Sequence, residues 1–525
     1  MKPKLQDLTL KTAVIVLIIA MTACQSTDLS KENLIPRPAS VVKTGSSFNL
    51  TDQTDIYIPE NSPEIQKIGQ FLADKLNPST HLGIDVRTTT NAPAPGNIYL
   101  SLLAQNDKEL GDEGYELRIT DKAVNLVANK PAGLFYGIQS IRQLLPIKIE
   151  STEKQPGPWK IATGTIRDYP VYSYRGAMLD VARHFFTVDE VKSIIDHMSY
   201  YKMNMFHFHL SDDQGWRIEI KSWPNLTAHG GKTEVGGGDG GYYTQEQYTD
   251  IVKYAQDRYV TIIPEIDMPG HTNAALSSCA QLNCTSKVPD LYTGVEVGFS
   301  SLCTNKEFTY KFIDDVFREL SELTPGPYIH IGGDESLATK IEDYIPFINR
   351  VQTIAAEHGK KVLGWDEIAL ATLRPNTIVQ YWAKSENAIK GVAQGAKVLM
   401  SPAKNAYLDM QYDSTSTYGL HWAAYIEVDK GYQWDPASLV PEINKENIIG
   451  VEAPLWAETV SNLQEAEYLM FPRLLGYAEI GWTSEKLRDW NNYKGRLANH
   501  GERMRLMNIN FYPSKLVKWT DVKHK

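Results

Sequence analysis

The chain is predicted to be an α/β protein, a (β/α)8 TIM barrel preceded by a small α/β domain, and three observations carry that prediction. Eight short apolar, β-rich runs recur after residue 170 with amphipathic stretches between many of them, the pattern of parallel strands joined by helical crossovers. Helix-start signals fall between runs independently of the strands. Residues 34–168 show a different alternation of β-prone and helical segments, so a separate layered unit precedes the barrel. At 525 residues the chain exceeds one ordinary core, which agrees with two domains.

In chain order, residues 1–23 read as a signal peptide. Lys2, Lys4 and Lys11 precede an apolar run over 13–21 that is too short to span a bilayer. The run ends in Met21-Thr22-Ala23-Cys24, which resembles the lipobox of bacterial lipoproteins. That resemblance implies a lipidated Cys24 at the new N-terminus, a flexible tether over 24–33, and an exported protein held on a bacterial membrane, at the outer membrane or the periplasmic face, by its lipid anchor only. Ordinary secretion with cleavage nearby is the alternative.

The small domain has predicted strands over 55–58, 97–102, 115–119 and 123–128 and helices over 62–76 and 133–145, with no catalytic cluster. Arg167-Asp168-Tyr169-Pro170 links it to the barrel, residues 169–525. The barrel strands are expected at 176–181, 205–210, 260–264, 328–331, 361–363, 377–381, 397–400 and 448–452, with helices closing the C-terminal end. Thr187 with Glu190 and Thr244 with Gln247 have capping-box spacing. After the second, Tyr248, Ile251, Val252 and Ala255 form the core-facing stripe of a crossover helix.

A formal charge of -10 and the lack of any Lys/Arg-rich run exclude a phosphate-backbone partner, so no nucleic acid is expected. Cys279, Cys284 and Cys303 lie in one loop-rich segment. In an oxidising compartment one disulfide is expected, and Cys284 with Cys303 is favoured because the step from 279 to 284 is the tighter loop, although sequence alone leaves the pairing open. No Cys-x-x-Cys or adjacent His spacing points to a metal, and no cofactor is expected.

The chemistry gathers after the predicted strands, where TIM barrels carry their active sites. His330-Ile331-Gly332-Gly333-Asp334-Glu335 is the most specific stretch. Two glycines let the backbone turn so that both carboxylates reach one pocket. Like charges that close cannot both ionise readily, so one carboxyl is held above its usual range and can act as an acid. Ser211-Asp212-Asp213, Glu265 to His271, Trp365, Trp382 and Trp456 follow other runs. Loop-borne acids with tryptophans suit sugar binding: indoles cover the C–H faces of a pyranose and carboxylates take its hydroxyls.

Four motifs in order, 175–185, 209–217, 264–271 and 332–335, resemble those of glycoside hydrolase family 20, the β-N-acetylhexosaminidases, and the resemblance covers nearly the whole mature chain. It implies exo-acting, retaining hydrolysis of terminal N-acetyl-β-D-hexosamine residues, with the substrate's own acetamido oxygen as nucleophile. The substrate would be an oligosaccharide or glycoconjugate, chitooligosaccharides among them, ending in N-acetylglucosamine or N-acetylgalactosamine. Glu335 would be acid and then base, and Asp334 would orient the acetamido group and stabilise the oxazolinium ion. Tyr407 would support the acetamido oxygen, and Asp212 with His271 would tune Glu335. Arg175, Asp409 and Glu458 would bind ring hydroxyls. Trp365, Trp382 and Trp456 would enclose the acetamido group and ring face, with Trp422 at the pocket mouth.

Two rivals compete with this reading. His207-Phe208-His209 at a strand end suggests a metal-dependent amidohydrolase, but later strand ends offer carboxylates, Trp and Tyr instead of more His or Lys ligands. A silent glycan-binding lipoprotein would keep the tryptophans without needing Asp334 beside Glu335.

Overall fold

A computed structural model describes residues 28–91, 94–285 and 287–520. The predicted signal peptide and Cys24 lie outside the described residues. The expected tether is corrected at its end: Leu29–Lys31 form a 3-10 turn, and Leu29 is buried in the small domain's core. Burial of apolar side chains fixes this segment where its polar composition suggested freedom.

The small domain is a seven-stranded mixed sheet. In chain order its strands are β1 (Ser40–Leu50), β2 (Ile56–Pro59), β3 (Val86–Thr89), β4 (Asn97–Leu102), β5 (Tyr115–Ile119), β6 (Ala123–Ala128) and β7 (Trp159–Asp168). Their spatial order is β1-β7-β5-β6-β4-β2-β3. Helices Pro63–Thr80 and Pro131–Leu144 pack on each other and on the sheet. Three strands, β1, β3 and β7, were not expected from sequence. β1 is largely exposed and polar, and it is held by antiparallel pairing with β7, a partner more than a hundred residues away.

Eight parallel strands close the barrel: β8 (Tyr174–Asp180), β9 (Met205–His209), β10 (Thr261–Glu265), β11 (Tyr328–His330), β12 (Lys361–Trp365), β13 (Ile378–Tyr381), β14 (Lys397–Met400) and β15 (Ile448–Leu455). β15 pairs with β8, with Glu452 opposite Gly176. All eight predicted runs are strands, and both capping boxes are formed, opening helices Val188–Tyr200 and Gln245–Gln256.

Strand alternation sorts the barrel interior into levels. Tyr174, Ile263, Leu363, Ile378 and Leu399 form an apolar cluster toward the amino ends. Two residues further along the strands, His207, Glu265, Gln380 and Glu452 are fully buried and polar, as is His330. Such groups persist inside a core only when they satisfy one another.

The two domains meet at the amino ends of the barrel strands. Trp482 from the helix Arg473–Trp482 joins the small domain's core and donates its indole N–H to Asp168 at 2.8 Å.

Candidate active site

The acidic pair leaves β11 through a turn that only glycine accommodates. Gly332 and Gly333 have φ of 63° and 102°, a region that side-chain-bearing residues avoid. A Cβ on Gly332 would fall 1.7 Å from Asp267 Oδ1, the oxygen that accepts the Gly333 N–H at 3.0 Å. Asp267 therefore braces the turn. Glu335 and His271 also have positive φ, 42° and 54°, strain of the kind that collects at functional sites.

A cavity of about 310 Å³ opens here, lined by Asp334, Glu335, His271, Trp382, Tyr407, Asp409, Trp422, Trp456 and Glu458. Nine of the twelve predicted catalytic and sugar-binding residues thus converge on one space. Two more support it from behind. Asp212 is buried, with Oδ1 3.2 Å from His271 Nδ1. Trp365 is fully buried in the cluster that contains Tyr407 and Trp456.

Arg175 is the correction. It lies at the amino end of β8, opposite the face where the carboxylates gather, and pairs with Glu113 of the small domain through two hydrogen bonds of 2.9 and 2.8 Å. The arginine in the pocket is Arg183, three residues beyond the end of β8. Arg183 donates to Asp180 at 3.0 Å, pairs with Asp212 at 2.9 Å and lies over the Trp456 ring at 5.0 Å. Its Nε is buried without a protein acceptor. The rule that barrel sites form at carboxyl ends of strands would have selected Arg183 from the same motif.

Sequence reasoning also missed Glu367. Its carboxylate accepts the Trp382 indole N–H at 3.0 Å; burial, then Asp366 and Asp334, push it up to about 8. Asp366 accepts three consecutive backbone N–H groups, of Trp382, Ala383 and Lys384, so adjacent acids fix the Trp382 segment. The Asp-Glu doublet after Trp365 was the available signal. Val295 and Val297 line the cavity from a long loop with no periodic signal.

Electrostatics divide the acids. Asp334 is held well above the usual carboxylate range by burial first and then by Asp267 and Glu335, with His271 opposing. Asp409 is pushed the same way by burial and Glu458. Burial also opposes ionisation of Asp212, but Arg183 and His271 outweigh it and hold the carboxyl far below its usual range. Asp334 Oδ1, both Asp409 oxygens and Glu458 Oε2 are buried without a protein partner among the described residues. Acceptors placed so in a sugar-sized cavity fit the N–H and hydroxyl donors of an amino sugar.

Ligand atoms of His207, Glu265 and His330, of Asp212, Asp267 and His271, and of His271, Asp334 and Glu335 converge within 4.8 Å. In the first group both Glu265 oxygens are already engaged by imidazoles and by Trp365, and in the second Asp267 Oδ1 and Asp212 are committed to the turn, Arg183 and His209. The disulfide joins Cys284 to Cys303, and Cys279 is free.

The model of the glycosyl hydrolase family 20 catalytic domain matches residues 172–343 and 337–485, and that of the family's domain 2 matches 31–169. The chain belongs to glycosyl hydrolase family 20. A β-N-acetylhexosaminidase of Cellulomonas fimi is 40% identical over 93% of this chain and 97% of its own length. The solved β-N-acetylhexosaminidase of Streptomyces coelicolor A3(2) is 47% identical, with a TM-score of 0.90 over 93% of this chain and 99% of its own. A Streptomyces plicatus β-hexosaminidase mutant solved with its product GlcNAc is 48% identical at the same TM-score, covering 93% and 98%. The family's reaction is retaining hydrolysis of terminal, non-reducing N-acetyl-β-D-hexosamine residues, with the substrate's acetamido group as nucleophile. The chain is a hydrolase of that kind.

Proposed function

We propose that Glu335 is the general acid and then the general base of this hydrolysis, and that Asp334 orients the acetamido group. The observation that carries the reading is the position of His271. Its Nε2 lies 3.6 Å from Glu335 and 3.8 Å from Asp334, and its Nδ1 is held by Asp212. One imidazole thus faces both carboxyls and is tied to a carboxylate that stays ionised.

Glu335, whose side chain is 37% exposed, protonates the departing oxygen and then takes a proton from water. Asp334, only 9% exposed, accepts the acetamido N–H. The acetamido oxygen attacks C1, and the cation that results favours the ionised form of Asp334, reversing the effect of burial. Tyr407, Trp382 and Trp456 enclose the acetamido group, Tyr407 stacking parallel to Trp382 with ring centres 6.3 Å apart. Arg183, Asp409 and Glu458 take the ring hydroxyls, and exposed Trp422 meets the next residue at the mouth.

Chitooligosaccharides are the substrate class we favour, supported by a 28% identical N,N'-diacetylchitobiase of Vibrio harveyi. We further infer export and anchoring through Cys24. The Cys284–Cys303 disulfide supports an oxidising compartment.

Aryl N-acetylglucosaminides with good and poor leaving groups test the roles. Glu335→Gln should lose most activity on poor leaving groups and less on activated ones, since the latter need little protonation. Asp334→Asn should slow both. Equal losses for Glu335→Gln, or near-normal turnover for Asp334→Asn, would remove the assignments.

A further inference from the structure

Beneath the pocket, at the centre of the barrel, one fully buried carboxylate gathers four nitrogen atoms. Glu265 ends β10. On Oε1 it accepts the Trp365 indole N–H at 2.9 Å, and His330 Nδ1 lies 2.8 Å away. On Oε2 it is in contact with His209 Nδ1, and His207 Nε2 is at 2.9 Å. His209 then spans two carboxylates, since its Nε2 lies 3.0 Å from Asp212 Oδ2. Asp212 holds His271, which faces Glu335. On the other side His207 is fastened by Glu452, 2.8 Å from its Nδ1, and Glu452 accepts from Gln380 at 2.7 Å and from Tyr174.

We propose that Glu265 is a positioning residue for the hydrolysis: its two oxygens fix, through His209 and Asp212, the His271–Glu335 pair, and, through Trp365, the floor of the acetamido pocket. Hydrogen bonds run from the carboxylate through His209 and Asp212 to His271, whose Nε2 faces Glu335 at 3.6 Å, and on the other side to Trp365, so the path serves leaving-group protonation and acetamido attack alike. The charge states agree with the path. Burial opposes a charge on His209, yet Glu265 and Asp212 hold the imidazole well above its usual range; burial likewise opposes the charge of Glu265, and His330, His209 and His207 outweigh it. His209 is then a double donor, and Asp212 presents its remaining oxygen to His271.

An amide cannot reproduce this. Each Glu265 oxygen accepts one N–H, from Trp365 on one side and from His209 on the other, whereas a glutamine offers one acceptor oxygen and one NH2, so either the Trp365 side or the His209 side loses its acceptor. A carboxylate here serves a requirement that neutral isosteres miss.

The proposal rests on the reading of Glu335 as the acid, and the test separates the two. Glu265→Gln, His209→Gln and Glu335→Gln are compared on aryl N-acetylglucosaminides of graded leaving-group ability and for affinity toward the thiazoline analogue of N-acetylglucosamine. Supporting groups one step behind the reacting ones typically contribute about 10–100-fold. Glu265→Gln should lose roughly that factor in kcat/KM on poor leaving groups, less on activated ones, and bind the thiazoline more weakly. His209→Gln, which leaves Glu265 and Trp365 in place but removes a ring packed on Trp456, should keep the leaving-group dependence and lose less thiazoline affinity than Glu265→Gln. It decides the matter if Glu265→Gln fails to fold. Losses uniform across leaving groups in His209→Gln, or turnover of poor substrates by Glu265→Gln near that of the parent, overturn the proposal. Absence of leaving-group dependence in Glu335→Gln overturns the acid assignment instead.

Discussion

Replacing Arg175 with Met should destabilise the protein while leaving its active site intact, because this arginine joins the domains and does not reach the sugar. Its side chain is fully buried. It donates to both Glu113 oxygens, to the Lys202 carbonyl at 2.8 Å and to the Tyr172 carbonyl at 2.8 Å, and it lies 5.0 Å over the Trp482 ring. Removing one partner of a buried pair costs about 3–5 kcal/mol, because the other charge is left uncompensated. The lower end applies here, since the Glu113 side chain keeps 20% exposure. At about 2–4 °C per kcal/mol for a unit of 150–250 residues, a loss near 3 kcal/mol lowers Tm by roughly 6–12 °C, and by less if the whole chain melts together. The assay is differential scanning fluorimetry alongside kcat/KM on an aryl N-acetylglucosaminide at 25 °C. Glu113→Gln added to Arg175→Met should recover part of the loss by removing the stranded charge. Arg183→Met supplies the contrast, with activity falling by more than tenfold, since Arg183 lines the pocket and pairs with Asp212. An unchanged Tm with collapsed kcat/KM for Arg175→Met would refute the reasoning and return this arginine to the substrate.

Three further outcomes are expected. Glu367, raised from 4.5 to about 8, favours its protonated form in the folded state, so the stability it contributes is complete below about pH 4.5 and is lost as pH rises toward 8. Glu367→Gln mimics that form and keeps an acceptor for Trp382, so its Tm should gain on the parent between pH 5 and 8; a constant difference across that window would contradict the assignment. Aryl β-glucosides, which lack the acetamido nucleophile, should be hydrolysed extremely poorly while the thiazoline binds far more tightly than N-acetylglucosamine; comparable glucosidase activity would exclude substrate assistance. Cys24→Ala should release the protein from the membrane fraction or block its processing, and unchanged fractionation would remove the anchor.

Much of the site was legible in the sequence because the residues that carry it are local. The glycine pair before Asp334 and Glu335 announces a turn whose reason is steric and short-range, and the structure supplies the atom it avoids, Asp267 Oδ1. The barrel strands show as apolar runs because both of their faces are buried, and the capping boxes at Thr187 and Thr244 are contained within four residues. What sequence missed depends on partners distant along the chain. β1 is mostly exposed and is a strand because β7 pairs with it. Leu29 leaves the expected tether because the small domain's core, drawn from that domain's residues as far along the chain as Ile166, receives it.

The sequence by itself determined the fold class, the family, and the identity of the acids and aromatic residues, since each rests on residue type and spacing. The strand-end rule could have chosen between the two arginines, and the tertiary structure showed that Arg183 lines the pocket while Arg175 pairs with Glu113 of the small domain. Arg175 and Arg183 share one motif, but a strand of seven residues stands largely between them, and at about 3.3 Å per residue it carries them to opposite ends of the barrel. The same closure gathers Glu265, His207, His330 and Glu452 from four strands into one buried network. Nothing local marks that meeting, because it needs the parallel pairing of β9, β10 and β11 and, for Glu452, the closure of β15 onto β8.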